Sequence, residues 1–152
     1  MTLEKLLEHA ADFAVAQFNR AGEVSPMFIA ETADAHIVIP CLWADRQEKH
    51  RTFDALRLAF RAMDVERYAT MGEAWTVICH DGKLPASYLA GAGLDTHPDR
   101  REIMHVIAAD KERALCREWS ILRPETGKPT LRPIAVKADS FGGDLASLLR
   151  DA

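Results

Sequence analysis

Four strand-like segments follow one another between about residues 66 and 137, separated by turn residues and without a helical period between them. That grouping constrains the fold more than anything else in the chain, because strands joined by short turns pair antiparallel. The first, from about Glu66 to His80, is rich in Tyr, Thr, Trp, Val and Ile, with Gly72 in its middle as a candidate bulge. Glu102–Ala109 and Arg113–Leu122 read as a pair joined at Asp110-Lys111-Glu112. A last strand near Thr130–Lys137 carries Pro133, which suggests a sheet edge.

Upstream, Leu3, Leu6, Leu7, Ala10, Ala14 and Phe18 recur at three-and-four spacing and predict a helix over about 3–20, capped by Thr2 and ended by Gly22. Two short apolar runs, Met27–Ala30 and His36–Ile39, flank a five-residue turn and predict a hairpin, with Pro40 at the end of its second strand or at a sheet edge. Asp45 and Glu48 have the spacing of a capping box. The helix they open, about 46–63, turns Phe53, Leu56, Phe60 and Met63 to one side. Gly142-Gly143-Asp144 precedes a short amphipathic helix with Leu145, Leu148 and Leu149.

The expected order is α-β-β-α-β-β-β-β-α over a single domain, 1–152. This is an α+β fold, with a mainly antiparallel sheet of five to six strands and helices mostly on one face. A chain of this length buries about 70% of its unfolded surface without staples. A formal charge of −4 makes a nucleic-acid partner unlikely. No apolar run reaches the ~18 residues of a membrane span, and the charged start of the chain does not read as a signal peptide. Three cysteines without framework spacing fit a reducing, cytoplasmic setting.

Phosphate-loop, dinucleotide, zinc-protease, nucleophile-elbow and zinc-deaminase patterns are all missing. No metal or cofactor is expected. Cys41, Cys79 and Cys116 read as packed thiols, since no Cys-x-x-Cys pair exists. His80, His97 and His105 flank the irregular segment 81–101 and would converge if the strands on either side pair, bringing Asp81, Asp99 and Glu102 with them. Glu73 shares strand phase with Met71 and Trp75, which buries a carboxylate unless Arg100 or Arg101 pairs with it or a bulge at Gly72 returns it to solvent. Candidate catalytic residues are therefore Glu73, His97 and His105. Candidate binding residues are Trp75, Asp99, Arg100 and Glu102. Trp75 and Trp119 are expected on the packed face of the sheet, and Trp43 against a helix start or an interface. Arg46, His50, Arg57 and Arg61 fall within an arc of about 60°, but Asp54 shares that side and marks a solvated, salt-bridged face.

Glu73-Ala74-Trp75 on a strand, followed by His97-Pro98-Asp99-Arg100-Arg101-Glu102 opening another, resembles a group of small bacterial and phage-borne proteins over about residues 24–135. That group carries no assigned activity, so the resemblance implies interest in Glu73, Trp75, Asp99 and Arg100 but no role for them. The element order is also similar to roadblock and profilin-like domains. The leading expectation is a non-enzymatic domain that binds a protein or a small ligand, working as a homodimer. A small hydrolase-like or acid/base enzyme around residues 80–105 is the second reading, and a nucleic-acid-associated protein the third.

Overall fold

The computed structural model describes residues 1–77, 97–135 and 144–150. Helix α1 (Leu3–Ala21) is followed by β1 (Met27–Glu31), β2 (His36–Pro40), α2 (Arg46–Ala62), β3 (Arg67–Thr76), β4 (Arg101–Asp110), β5 (Ala114–Leu122) and β6 (Thr130–Ile134). A short 3-10 turn, Asp144–Ala146, stands where a final helix was expected. The strands form one antiparallel sheet in the order β2-β1-β3-β4-β5-β6, so both proline-bearing strands lie at its edges. No described helix is long and apolar enough to cross a membrane.

Local chemistry explains the helix limits. The Thr2 hydroxyl accepts from the Lys5 N–H, and Gly22 takes a left-handed φ of 77° while its N–H donates to the Phe18 carbonyl. At α2, Asp45 accepts from the Glu48 N–H at 2.8 Å. Glu48 returns an oxygen to the Ala44 N–H at 3.0 Å, one residue earlier than the usual box.

Strand parity decides which side chains meet which helix. Met27, Ala69, Met71, Met104, Val106, Ala108, Trp119 and Ile121 share one face, and Leu3, Leu6, Leu7, Ala10, Ala14 and Phe18 of α1 pack on it. Phe28, Ala30, Tyr68 and Ala109 share the other, against Phe53, Leu56 and Phe60 of α2 and Leu148 beyond the terminal turn. Phe28 sits edge-on to Phe53 and Phe60, with centroids 6.3 and 6.4 Å apart. Full burial of each such side chain is worth about 1.5–3 kcal/mol. Tyr68 closes this second core by donating its hydroxyl to the Leu145 carbonyl and accepting from the Leu148 N–H; burial pushes its phenol up to about 12. The α1 side thus lies opposite α2 and the terminal turn, and both faces are covered rather than mainly one.

Two further expectations change. The β3–β4 register runs unbroken from Arg67↔Asp110 to Thr76↔Arg101, with Gly72 opposite His105, so Gly72 is not a bulge. Trp119 is buried as expected, but Trp75 is 43% exposed. Trp75 lies one pleat beyond Glu73, at whose level the chain has already left α1. Strand β3 ends at Thr76, and the expected extension to His80 lies outside the described residues, as do Cys79, His80 and Asp81. Cys41 and Cys116 are buried free thiols.

Candidate functional site

The sequence-derived candidates divide between the two faces of the sheet. Glu73 pairs in register with Met104, and Gly72 with His105. Neighbours along a strand point to opposite faces, so Glu73 lies on the α1 face and His105 on the α2 face. The sheet separates them, and they cannot serve one reacting group.

On the α1 face, Glu73 is held by two contacts that the sequence did not indicate. Its Oε1 accepts from the Val24 N–H at 3.2 Å, and its Oε2 lies 3.8 Å from Arg123. The expected partners, Arg100 and Arg101, are engaged elsewhere or on the opposite parity. Arg123 makes a bidentate pair with Glu102, with Nε and Nη2 at 2.8 and 2.7 Å from its two oxygens. Burial raises the Glu73 carboxyl above its ordinary value, the Val24 N–H and Arg123 oppose that, and Glu102 and Glu23 add to it. The group ties the start of the β1 approach to β3, β4 and the end of β5. Arg123 was legible only in strand phase, two residues after Ile121 and four after Trp119 on the α1 face.

The other candidates form a turn and a stack. His97 Nδ1 accepts from the Asp99 N–H at 3.1 Å, and its carbonyl accepts from the Arg100 backbone and side chain. The Arg100 guanidinium then lies 5.0 Å from the centre of the Trp75 ring. His97, Asp99, Arg100 and Trp75 are therefore together, and His105 is apart from them.

His105 stands on the α2 face between Gly72 and Glu118. A Cβ at Gly72 would lie 3.6 Å from the imidazole Cε1, an ordinary contact, so the ring packs over the glycine and still leaves room for a methyl group. Burial drives the imidazole down to about 4, and the Lys49 charge adds to the effect, so it is neutral at pH 7. Burial also raises the Glu118 carboxyl, against a Cys116 thiol 3.9 Å away. Burial pushes that thiol up to about 12, reinforced by Glu118, so it is no nucleophile at neutral pH. Among the described residues, no three His, Cys, Asp or Glu side chains are placed to hold a metal.

The open surface of the α1 face lies elsewhere. Helix α1 packs along β3, β4 and β5 and leaves part of the β1–β2 hairpin uncovered. An apolar groove of about 230 Å³ runs there, between Leu6, Ala10 and Phe13 of the helix and Met27, Ile29 and Val38 of the hairpin. Val38 is 60% exposed and Phe13 48%. Below it Glu31 is buried, with Oε1 accepting from Arg67 at 2.8 Å and lying 3.5 Å from the N-terminal ammonium, and Oε2 lying 3.2 Å from His36. Burial alone would raise this carboxyl. The Arg67 hydrogen bond and charge, with the ammonium and His36, outweigh burial and hold it below the usual range. Glu31 was expected in the hairpin turn; it ends β1 instead, where the pleat turns it inward.

Comparison with protein-family models, with curated proteins and with solved structures finds no match to this chain.

Proposed function

We propose that this chain is a non-enzymatic protein-interaction domain that works as a homodimer, with its contact surface at the groove between α1 and the β1–β2 hairpin. The observation that carries this reading is the groove itself, mainly apolar with His9 and His36 at its margins, and open beside an edge strand whose Val38 is 60% exposed. Small-molecule sites run from about 300 to 1,000 Å³. A volume of about 230 Å³ suits one or two apolar side chains of a protein partner better than a cofactor or a drug-sized ligand. Exposed apolar groups gathered in one place mark an interaction surface, whereas scattered ones do not.

Charge favours a second copy as the occupant. Strand β2 carries no Asp, Glu, Lys or Arg, and the buried Glu31 beneath it is already paired with Arg67. Two copies meeting edge to edge along β2 therefore bring no Asp, Glu, Lys or Arg of that strand face to face. The enzyme reading around residues 80–105 is weaker, because Glu73 and His105 lie on opposite faces. A nucleic-acid role gains little from the α2 stripe, where Arg57 already holds Asp54 at 3.0 Å. The unpaired, buried Cys41 and Cys116 support a reducing cytoplasmic setting, and bacterial origin rests on the resemblance alone.

Light scattering on the purified protein tests the proposal. The expected mass is twice 16.9 kDa, and a Phe13→Ser, Val38→Ser double variant is expected to run at 16.9 kDa at the same concentration. Wild-type protein that stays at 16.9 kDa up to its solubility limit overturns it.

A further inference from the structure

Resting on that homodimer reading, the geometry points to a specific mode of association: β2 pairs antiparallel with β2 of a second copy about a two-fold axis at Val38, making one continuous sheet through both subunits. The backbone groups of β2 face alternately toward β1 and away from it. Two hydrogen bonds bracket the β1–β2 ladder, Thr32 N–H to the Ala35 carbonyl at 2.9 Å and Cys41 N–H to the Pro26 carbonyl at 3.0 Å. Hydrogen-bonded and non-hydrogen-bonded pairs alternate along an antiparallel ladder. In the register Ala30↔Ile37 and Phe28↔Ile39, the inward groups are therefore those of Ile37 and Ile39. The N–H and C=O of His36 and Val38 face outward, along with the carbonyl of Pro40. Pro40 is tolerated for the same reason, since the donor it lacks would have pointed away from β1.

Among the described residues no strand pairs with these outward groups, and such an edge on an apolar strand is a template for another strand. A two-fold axis perpendicular to the sheet keeps each face continuous only if paired residues share parity. With the axis at Val38, that residue meets Val38 of the partner subunit, Ile37 meets the partner subunit's Ile39, and His36 meets the partner subunit's Pro40. The two Val38 residues exchange both of their N–H···O=C bonds. Each His36 N–H donates to the Pro40 carbonyl across the axis, so all four outward donors are satisfied. Moving the axis to Ile37 also allows four bonds, but it sets Ile39 against Ala35 and Pro40 against Asp34, and apolar overlap is lost. The opposite edge is a poorer template. Strand β6 has Pro133 beside its central Arg132, so self-pairing there removes a donor and sets two guanidinium groups across the axis.

A stable interface takes about 800 Å² per partner, roughly a twelfth of the 9599 Å² this chain exposes. A five-residue strand is only about 17 Å long, so the groove and Phe13 must be covered along with the edge. Val38 places the partner strand beside that groove.

The full chain tests this directly. Val38→Pro removes the outward donor at the axis without removing any bond to β1, and it is expected to turn a dimer into a 16.9-kDa monomer. Amide hydrogen exchange on the wild type gives a second reading that needs no variant. His36 and Val38 amides are expected to exchange at least tenfold more slowly at dimer-forming concentration than on dilution, and Ile37 and Ile39 amides to be slow at both. A wild-type dimer whose His36 and Val38 amides exchange freely, or a folded Val38→Pro variant that remains dimeric, overturns the edge pairing and leaves the homodimer standing. A wild-type chain that is monomeric throughout overturns both.

Discussion

Glu31 and Glu73 are both carboxylates on the α1 face of the sheet, and their surroundings push them in opposite directions. Glu31 has a guanidinium at 2.8 Å and further positive neighbours, so its folded value lies below the ordinary 4.5. Its contribution to stability is present above about pH 4.5 and is lost as pH falls through the folded value. Glu73 is raised above 4.5 by burial that its partners do not offset. Its contribution is present in full below pH 4.5 and is lost as pH rises through the folded value. At pH 7 the two Glu→Gln changes should therefore differ in outcome. Glu31→Gln leaves Arg67 without its buried counter-charge and should cost about 2 kcal/mol, a fall of about 4–8 °C in Tm for a domain of this size. Glu73→Gln keeps an oxygen for the Val24 N–H and sheds a partly buried charge, so its Tm should hold or rise. Thermal melts of both variants at pH 7 decide the matter, and a large loss for Glu73→Gln would show that Arg123 outweighs burial. Strand phase made Glu73 visible in the sequence. Strand phase also puts Arg123 on that face, but its contact with Glu73 was not visible, because it depends on the register of two further strands.

Within the elements, two glycines do different work. Gly22 ends α1 at φ 77°, and a Cβ there would also lie 3.4 Å from the Pro129 ring. Gly22→Ala should cost about 1–2 kcal/mol from the left-handed backbone alone. Gly72 lies in regular strand, and its added Cβ would meet the His105 ring at 3.6 Å, an ordinary contact. Gly72→Ala should leave stability unchanged or raise it by up to about 1 kcal/mol, since glycine weakens a strand interior. Urea unfolding of both variants tests this, and a marked loss for Gly72→Ala would mean that the His105 ring cannot shift. The same contrast marks what the sequence could convey. Helices α1 and α2 and all six strands were legible, because their periods and caps are local patterns. The pairing of β1 with β3, and the division of helices between two faces, were not. Those follow from contacts 30 or more residues apart, such as Met27 against Met71. Gly72 misled for a similar reason: a glycine inside a strand reads locally as a bulge, and only the unbroken register opposite it shows otherwise.

Across the whole molecule one sheet carries two separate cores, and each contains a group that makes folding sensitive to acid. His105 belongs to the α2 face, where burial takes its folded value from 6.5 to about 4. An unfolded chain takes up that proton as pH falls through 6.5 and the native chain does not, so stability present above pH 6.5 drains away between 6.5 and about 4. The slope cannot exceed about 1.36 kcal/mol per pH unit, which sets a loss of at most about 2 kcal/mol between pH 6.5 and pH 5. Glu31, on the α1 face, adds its loss only below about pH 4.5. The two groups share no partner: Glu31 touches Arg67 and His36, while His105 stands beside Gly72 and Glu118 with Lys49 nearby. Separated by the sheet, their effects should add within about 0.5 kcal/mol. His105→Gln is therefore expected to flatten the fall in stability from pH 6.5 to 5 while leaving the loss below pH 4.5. Glu31→Gln should do the reverse, and the double variant should show both changes at once. Denaturant unfolding at four or five pH values between 3.5 and 7 measures all three, run at one fixed protein concentration so that dimer dissociation does not enter the comparison. A double variant that departs clearly from the sum would show that the two faces are coupled through the shared strands.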